Sequence, residues 1–325
     1  MRVLVTGAAG FLGRHLVASL LADGHKVAGV DTFITSDRED LTRLQQEANF
    51  DFAELDVTSS GFGQFARGFR PDAIYHLACP TGVPNLGPMA LEMLATSYEG
   101  SVAVLEVARE RNASVLLTSS AEVYGNPEVT PQTEAYTGNV DTLGPRKGYE
   151  EGKRVAETLF AIYAERFGVQ SRIVRVFNTY GPGMSLRETR VVPAFVRAAL
   201  KGQPLTIHGN GGQTRCHTFA SDMVQGLKMA MERGRPARAY NIGSQTPVTV
   251  KALAELVIRV ADSPSTVEVI ERPGHDHEHR LPDTARARTE LGWSLSVSLE
   301  EGLRATIADF RERLGAGLVA GAQRL

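Results

Sequence analysis

The feature that most constrains the fold lies at the amino terminus, where a short apolar run leads directly into three evenly spaced glycines. The run Arg2–Thr6 is rich in valine and leucine, and an amphipathic stretch follows the glycines. Glycines at this point permit a tight turn and let the backbone approach a pyrophosphate, whose charge a helix N-terminus stabilises. The alternative is a plain glycine-rich turn, but a strand–glycine–helix unit favours a dinucleotide site. The residues expected to contact the dinucleotide here are Gly7, Gly10, Phe11, Leu12 and Gly13.

Short β-branched runs alternate with amphipathic stretches through the first half of the chain. This alternation predicts parallel strands joined by crossover helices. We expect strands at Arg2–Thr6, Lys26–Asp31, Phe50–Leu55, Ala73–Leu77, Ser114–Ser119, Gln170–Val176 and Ala239–Ile242. We expect helices at Gly10–Asp23, Met89–Arg111, Tyr149–Phe167, Val250–Ala261 and Leu299–Leu314.

The sequence becomes richer in proline after about residue 178, which indicates loops and short elements. The predicted fold class is α/β, with a Rossmann-type doubly wound parallel sheet and a smaller C-terminal α/β substrate-binding domain. Residues 1–178 would form the dinucleotide-binding domain, with return segments at about 220–262. Residues 179–325 would mainly form the substrate-binding domain, at about 179–219 and 263–315.

Composition narrows the range of partners. The 325 residues carry a formal net charge of -2, so we expect no binding to nucleic acid or to an anionic membrane. No apolar run is long enough to span a bilayer, and the chain opens on a strand pattern, so we expect no signal peptide. Two cysteines, Cys79 and Cys216, are too few for a disulfide framework and favour the cytoplasm. The histidine-rich tract 275–279 lacks helical ligand spacing, so we expect no metal.

The end of the second predicted strand indicates which dinucleotide is bound. A carboxylate at Asp31 can accept hydrogen bonds from both ribose hydroxyls and would repel a 2′-phosphate. This favours NAD over NADP, although an exposed turn aspartate is the alternative. Asp56 and Val57 follow the third strand and are expected near the adenine.

Tyr149 and Lys153 are four residues apart on a predicted helix and therefore share one face. A lysine ammonium beside a phenol favours the phenolate and lowers the pKa of the tyrosine. The pair would then take a hydroxyl proton while NAD takes a hydride. The same spacing is common on solvated helices, but its position downstream of the glycines favours chemistry.

Polar side chains follow the fifth predicted strand. A serine at Ser119 or Ser120 could hydrogen-bond a reacting sugar oxygen, or could merely cap the strand end. Glu122 could act as a second acid or base, could position a water, or could be a surface carboxylate. Arg215 and Arg280 suit a diphosphate or a carboxylate through bidentate contacts, with a surface arginine as the alternative.

These motifs identify a family. The chain resembles extended short-chain dehydrogenases/reductases acting on nucleotide sugars over nearly its whole length, and is most similar to UDP-glucuronate decarboxylases. The glycine triplet and the Tyr–Lys pair are typical of the whole superfamily. The more specific motifs are 76–80 (HLACP), 122–125 (EVYG) with 127–129 (PEV), 144–146 (GPR), 149–158 (YEEGKRVAET), 177–182 (FNTYGP), 190–192 (RVV) and 213–215 (QTR).

The resemblance implies a tightly held NAD that is oxidised and reduced within one turnover of a UDP-sugar, expected to be UDP-glucuronate. Tyr149 would take the C4 hydroxyl proton while NAD takes the C4 hydride. The 4-keto acid would then lose CO2, and return of the hydride from the reduced cofactor would give UDP-xylose. Glu122 and Arg215 match positions that act near C5 and the carboxylate. A homodimer is implied through the helices 89–111 and 149–167. Further implied contacts are Leu77, Ala78, Thr118, Tyr149 and Lys153 for the cofactor and Pro80, Asn178, Arg190, Val191, Thr206, Arg215 and Arg280 for the substrate.

Two departures leave other activities open. Ala121 stands where the decarboxylases carry a serine, and the loop 81–88 lacks their tyrosines. The main alternative is a UDP-sugar 4-epimerase, with UDP-glucuronate as a candidate substrate. Ser120–Ala121 is typical of such epimerases, and Glu122 is not. A 4,6-dehydratase would need an acid at Ala121, and a non-catalytic NAD-binding protein would not need Tyr149 and Lys153.

Overall fold

The computed structural model describes residues 1–271 and 279–322. Its centre is a sheet of seven parallel strands in the order β11-β6-β5-β4-β1-β2-β3. The order reverses beside β1, because β2 lies on one side of it and β4 on the other. These strands are β1 (Arg2–Thr6), β2 (Lys26–Asp31), β3 (Phe50–Glu54), β4 (Ala73–His76), β5 (Ser114–Ser120), β6 (Ser171–Val176) and β11 (Arg238–Ile242).

Helices cover both faces of this sheet, as the buried runs of a parallel sheet require. Side chains of β1 alternate between two cores: Val3 and Val5 pack on one face, and Leu4 packs on the other. Helices α1 and α7 cover the first face, and α2, α4 and α5 cover the second. Their bounds are α1 (Phe11–Ala22), α2 (Ser60–Phe69), α3 (Ala90–Ala95), α4 (Ser101–Arg111), α5 (Lys147–Phe167) and α7 (Ala220–Arg233).

A third apolar core forms the C-terminal layer, between α6, α8, α9 and a two-stranded sheet of β8 and β13. Short strands connect this layer to the main sheet. The elements are β7 (Thr179–Tyr180), α6 (Val191–Leu200), β8 (Leu205–His208), β9 (Thr214–Arg215), β10 (Thr218–Phe219), β12 (Val248–Thr249), α8 (Val250–Ala261), β13 (Val267–Ile270), β14 (His279–Arg280) and α9 (Leu299–Ala322).

The predicted fold class is confirmed, with differences in detail. Helix α8 was expected among the return segments, but its apolar face packs in the C-terminal core. Conversely, Ala287, Leu291 and Trp293 belong to the segment 263–315 that was expected in the substrate-binding domain, but they pack against α7 and the main sheet. A helix interrupted by a π-helical turn at Thr96–Gly100 replaces the continuous helix expected at 89–111.

Helix α2 was missed because three glycines weaken the helical pattern of its sequence. Its start is marked by Ser59, whose side chain accepts a hydrogen bond from the amide of Phe62. Among residues 1–271 and 279–322, no helix has the length and apolar composition needed to cross a membrane.

Candidate active site

A cleft of about 400 Å³ opens at the carboxyl ends of the parallel strands, beside the point where the strand order reverses. Open parallel sheets bind their ligands at this position. Every residue expected to contact the cofactor lines the cleft. These residues are Gly7, Gly10, Phe11, Leu12, Gly13, Asp31, Asp56, Val57, Leu77, Ala78, Thr118, Tyr149 and Lys153.

The glycines make close backbone contacts that larger residues could not make. Gly7 has φ +71°, and a Cβ built there would lie 2.8 Å from the backbone nitrogen of Ala78. A Cβ at Gly13 would lie 2.0 Å from the carbonyl oxygen of Gly7. Helix α1 begins directly after Gly10, which offers no capping side chain. The amides of its first turn therefore face the cleft without a side-chain acceptor, as a pyrophosphate site requires.

Asp31 lies at the end of β2, where the sequence placed it. Its Oδ2 accepts a hydrogen bond from the amide of Ala9 (2.9 Å), and its Oδ1 accepts from the amide of Phe33 (2.8 Å) and the hydroxyl of Ser36 (3.2 Å). These bonds fix the carboxylate between the glycine turn and the loop after β2. A carboxylate has about four acceptor sites, so about one remains for a ribose hydroxyl.

Tyr149 and Lys153 lie one helical turn apart on α5 and both line the cleft. The ammonium of Lys153 donates a hydrogen bond to the carbonyl oxygen of Thr118 (2.9 Å) and lies 5.8 Å from the centre of the Tyr149 ring. Ser120 hydrogen-bonds Tyr149. Its hydroxyl also accepts from the amide of Glu122 (3.2 Å). Strand β5 thus holds the helical pair in place.

The pKa of Tyr149 is shifted in the direction opposite to the expectation. Burial raises its pKa, and the nearby Cys79 and Glu122 act in the same direction. The hydrogen bond from Ser120 and the charge of Arg190 oppose the rise but are smaller. The predicted lowering by Lys153 is therefore not what this environment produces, because desolvation of the phenolate dominates.

Glu122 lies in a turn after β5 and is held by two guanidinium groups. Arg280 forms a bidentate ion pair with it, and Nη2 of Arg280 lies 2.8 Å from Oε2. Nη2 of Arg146 lies 2.6 Å from the same Oε2. Burial alone would raise the pKa of Glu122, but the two cations hold it well below its usual value. The carboxylate is therefore ionised.

The arginines Arg146, Arg190 and Arg280 line the cleft together with Lys153, and two of them, Arg146 and Arg280, contact Glu122. Arg280 belongs to β14 and lies opposite Arg215 of β9 in register. Neighbouring arginines on one short sheet suit an anion such as a diphosphate or a carboxylate. Pro80 and Asn178 also line the cleft, as expected.

The remaining predicted residues are placed differently. Among the residues that the structure describes, Val191, Thr206 and Arg215 do not line this cleft. Val191 begins α6, and Thr206 is exposed on β8, so both belong to the C-terminal layer. Arg215 lies on β9, in register with Arg280 of the neighbouring strand β14.

Ser119 and Ser120 have different surroundings because successive residues of a strand face opposite sides. Ser119 also lines the cleft, but its hydroxyl donates a hydrogen bond to Oε1 of Glu157 (2.5 Å). Glu157 also accepts two bonds from Arg175, at 2.9 and 2.7 Å. This leaves Ser120 as the hydroxyl beside Tyr149.

Sequence reasoning missed the part played by Arg146 and Glu150. Arg146 lies just before α5, and its Nε contacts both Glu122 (3.0 Å) and Glu150 (3.2 Å). The available signal was their spacing, because an arginine and a glutamate four apart share a helix face next to Tyr149. In the described part of the chain, no group of three or more His, Cys, Asp or Glu residues could hold a metal ion.

Comparison with known proteins relates most of the chain to one family. Residues 3–243 match the model of the NAD dependent epimerase/dehydratase family. The chain is 39% identical over 313 residues to UDP-glucuronic acid decarboxylase 1 of Xenopus tropicalis, covering 96% of this chain and 73% of that protein. It is 40% identical over 316 residues to UDP-glucuronic acid decarboxylase 6 of Arabidopsis thaliana, covering 97% and 90%.

Solved structures of epimerases are also similar. A UDP-glucose 4-epimerase from Thermotoga maritima with UDP-glucose has a TM-score of 0.89 and 28% identity, covering 97% of this chain and all of that chain. A Y149F mutant of UDP-glucuronic acid 4-epimerase from Bacillus cereus, in complex with UDP-4-deoxy-4-fluoro-glucuronic acid and NAD, has a TM-score of 0.87 and 25% identity. It covers 96% of this chain and all of that chain.

Proposed function

The chain belongs to the NAD dependent epimerase/dehydratase family, and from this membership we propose that it converts UDP-glucuronate to UDP-xylose and carbon dioxide. One observation carries the choice of reaction. The ionised Glu122 lies in the same cleft as Tyr149 and Lys153, among the cations Arg146 and Arg280. This places a second acid–base group and a carboxylate-binding charge beside the group that handles the sugar hydroxyl.

The cleft fits NAD on structural grounds. Its glycine turn leaves space only for backbone at Gly7 and Gly13, and the uncapped start of α1 offers amides for a pyrophosphate. Asp31 would accept hydrogen bonds from the adenosine ribose hydroxyls. Bound NAD would supply a hydride acceptor for C4 of the sugar and return the hydride at the end of the turnover.

The protein's own groups account for the proton transfers. Tyr149 would take the C4 hydroxyl proton, with Ser120 hydrogen-bonded to the phenol. Because burial raises the pKa of Tyr149, deprotonation requires added positive charge, which Lys153 and Arg190 are placed to contribute.

The oxidised sugar is a β-keto acid. It loses its carboxylate as CO2, and the electron pair moves onto the C4 oxygen as an enolate. Glu122 would direct a water that protonates C5, and Tyr149 would return the C4 proton as the carbonyl is reduced. Arg280 and its strand neighbour Arg215 would hold the diphosphate or carboxylate of the substrate.

Val191 and Thr206 lie in the C-terminal layer, which we assign to the nucleotide of the substrate. We further propose a homodimer in the cytoplasm. Exposed apolar side chains on α3, the π-helical turn and α5 support the dimer; they are Leu91, Leu94, Tyr98 and Ile162. Free thiols at Cys79 and Cys216 support a reducing compartment.

The test is product analysis by proton NMR and mass spectrometry after incubation of UDP-glucuronate with the protein and NAD. A UDP-pentose with release of CO2 is the expected result, and the Tyr149→Phe variant should give neither product. Recovery of unchanged UDP-glucuronate after incubation with folded protein that binds NAD would refute the proposal.

A UDP-sugar 4-epimerase is the second candidate, and one residue favours it. The residue between Ser120 and Glu122 is a buried alanine, Ala121, which has no hydroxyl group. The sequence Ser120–Ala121 is typical of 4-epimerases. An epimerase shares the oxidation at C4, in which Tyr149 would take the proton and NAD would accept the hydride, but it has no need of an ionised Glu122. An isomer of unchanged mass in the same NMR experiment would identify it.

A further inference from the structure

Arg146 is the shared centre of a buried ion network beside Tyr149. Its guanidinium contacts Oε2 of Glu122 through both Nη2 (2.6 Å) and Nε (3.0 Å), and the same Nε contacts Oε1 of Glu150 (3.2 Å). The side chain of Glu150 is only 5% exposed, and that of Glu122 is 13% exposed. Two buried carboxylates therefore share one guanidinium, and Arg280 contacts Glu122 from the opposite layer.

The two arginines on Glu122 come from different parts of the fold. Arg146 lies three residues before Tyr149, at the start of the helix that carries the reacting phenol. Arg280 lies on β14 beside Arg215, where the proposed substrate presents its diphosphate and carboxylate. An incoming anion therefore competes with Glu122 for Arg280, whereas Arg146 contacts Glu122 and Glu150.

Loss of Arg280 from Glu122 would be costly if no other cation remained. A buried carboxylate without a counter-ion takes up a proton, since desolvation penalises its charged form. Arg146 supplies the remaining counter-ion. Both Nη2 and Nε of Arg146 contact Oε2 of Glu122. Departure of Arg280 would therefore leave Oε1 of Glu122 available to groups in the cleft.

We propose that Arg146, anchored by Glu150, is a positioning residue that keeps Glu122 ionised and oriented toward the cleft while Arg280 engages the substrate. This inference rests on the proposed function only for the identity of the substrate. The ion network consists of the chain's own side chains, so it can be tested without any turnover.

Glu150 fixes Arg146 by a bond across one helical turn. Burial and the charge of Glu122 raise the pKa of Glu150 to about 7, while Arg146 and Arg280 act against the rise. A carboxyl oxygen can accept the bond from Nε in either protonation state. The anchoring role therefore depends on an acceptor at residue 150 rather than on a full negative charge.

The first experiment measures the ionisation of Glu122 directly. Protein labelled with ¹³C at the glutamate carboxyl carbons is titrated by NMR, and the Glu122 signal is assigned with the Glu122→Gln variant. We expect Arg146→Met to raise the pKa of Glu122 and Arg146→Lys to restore much of the wild-type value. The matched control is Arg304→Met, which removes an exposed arginine from another i,i+4 pair, with Glu300 (2.6 Å).

The second experiment uses turnover of UDP-glucuronate by the same variants. Arg146→Met should lower kcat by about tenfold or more, part of the ~10²–10⁴-fold that an acid–base group supplies, with little change in KM. Arg146→Lys should recover part of the loss. Glu150→Ala should resemble Arg146→Met, and Glu150→Gln, which keeps an acceptor for Nε, should stay near wild type.

The outcomes separate this inference from the proposed function. If the wild-type protein does not decarboxylate UDP-glucuronate, the proposed function fails, and the titration alone still decides the role of Arg146. An unchanged pKa of Glu122 in the folded Arg146→Met protein overturns the inference. A fall in kcat that Arg304→Met reproduces also overturns it, because the effect would then be general destabilisation.

Discussion

Replacement of Gly13 by alanine should damage both the fold and the cofactor site. The added Cβ would lie 2.0 Å from the carbonyl oxygen of Gly7 and 2.9 Å from the Cα of Ala8, both of which are backbone atoms. Relief requires the glycine turn and α1 to separate by about 1 Å. Overpacking of this severity costs ~3 kcal/mol, and the better helix propensity of alanine offsets about 1 kcal/mol of it. The expected net loss is therefore about 2 kcal/mol.

Gly68→Ala is the matched control, because Gly68 is also helical but its Cβ would meet nothing within 4 Å. That variant should gain about 1 kcal/mol in free energy of unfolding. Urea denaturation measures both variants, and calorimetric titration measures NAD binding. The Kd for NAD should rise at least about tenfold in Gly13→Ala, equivalent to ~1.4 kcal/mol, and should not change in Gly68→Ala. A Gly13→Ala protein as stable as wild type, with unchanged Kd, would refute the reasoning.

Three further predictions follow from the site and the core. Tyr149→Phe should lower kcat by ~10²–10⁴-fold while NAD binding persists, as measured by product formation and calorimetry; residual turnover near wild type would contradict the mechanism. Asp31→Asn should weaken NAD binding and reduce the ratio of the affinity for NAD to the affinity for NADP, since it removes the negative charge that would repel a 2′-phosphate. Calorimetric titrations with both cofactors measure this ratio. Burial lowers the pKa of His76 to about 3 and that of His217 to about 4. Only the unfolded chain then protonates these groups as the pH falls below ~6.5, so stability should fall by up to ~1.4 kcal/mol per pH unit for each. Urea denaturation between about pH 6.5 and pH 5 should show this fall, reduced by the opposite contribution of Glu150, whose raised pKa of about 7 makes the folded chain bind that proton first. His217→Gln should remove the contribution of one histidine.

The residues that line the cleft beside the glycine turn could be predicted from the sequence because local patterns determine them. The order of a βαβ unit brings the glycine turn, Asp31 and the end of β4 to one edge of the sheet. The residues expected there all line the cleft. The seven strands of the sheet also begin and end within one residue of their predicted bounds, since a buried parallel strand has a distinctive apolar run.

The substrate half was less predictable because it depends on contacts distant in sequence. Arg280 reaches Glu122 across 158 residues, and no local pattern indicates that pairing. Glu150 has the sequence context of a solvated helix residue, yet it is buried beside Arg146. The direction of the pKa of Tyr149 likewise depends on burial by surrounding elements, which the Tyr–Lys spacing does not reveal.

The central claim is that the chain removes the carboxylate of UDP-glucuronate by way of a C4 ketone and a protonation at C5. The most direct test is to run the reaction in D2O with NAD and to analyse the nucleotide product by mass spectrometry and NMR. We predict UDP-xylose that carries one solvent deuterium at C5, because protonation at C5 follows the loss of CO2. A six-carbon isomer without deuterium would contradict the claim and identify a 4-epimerase.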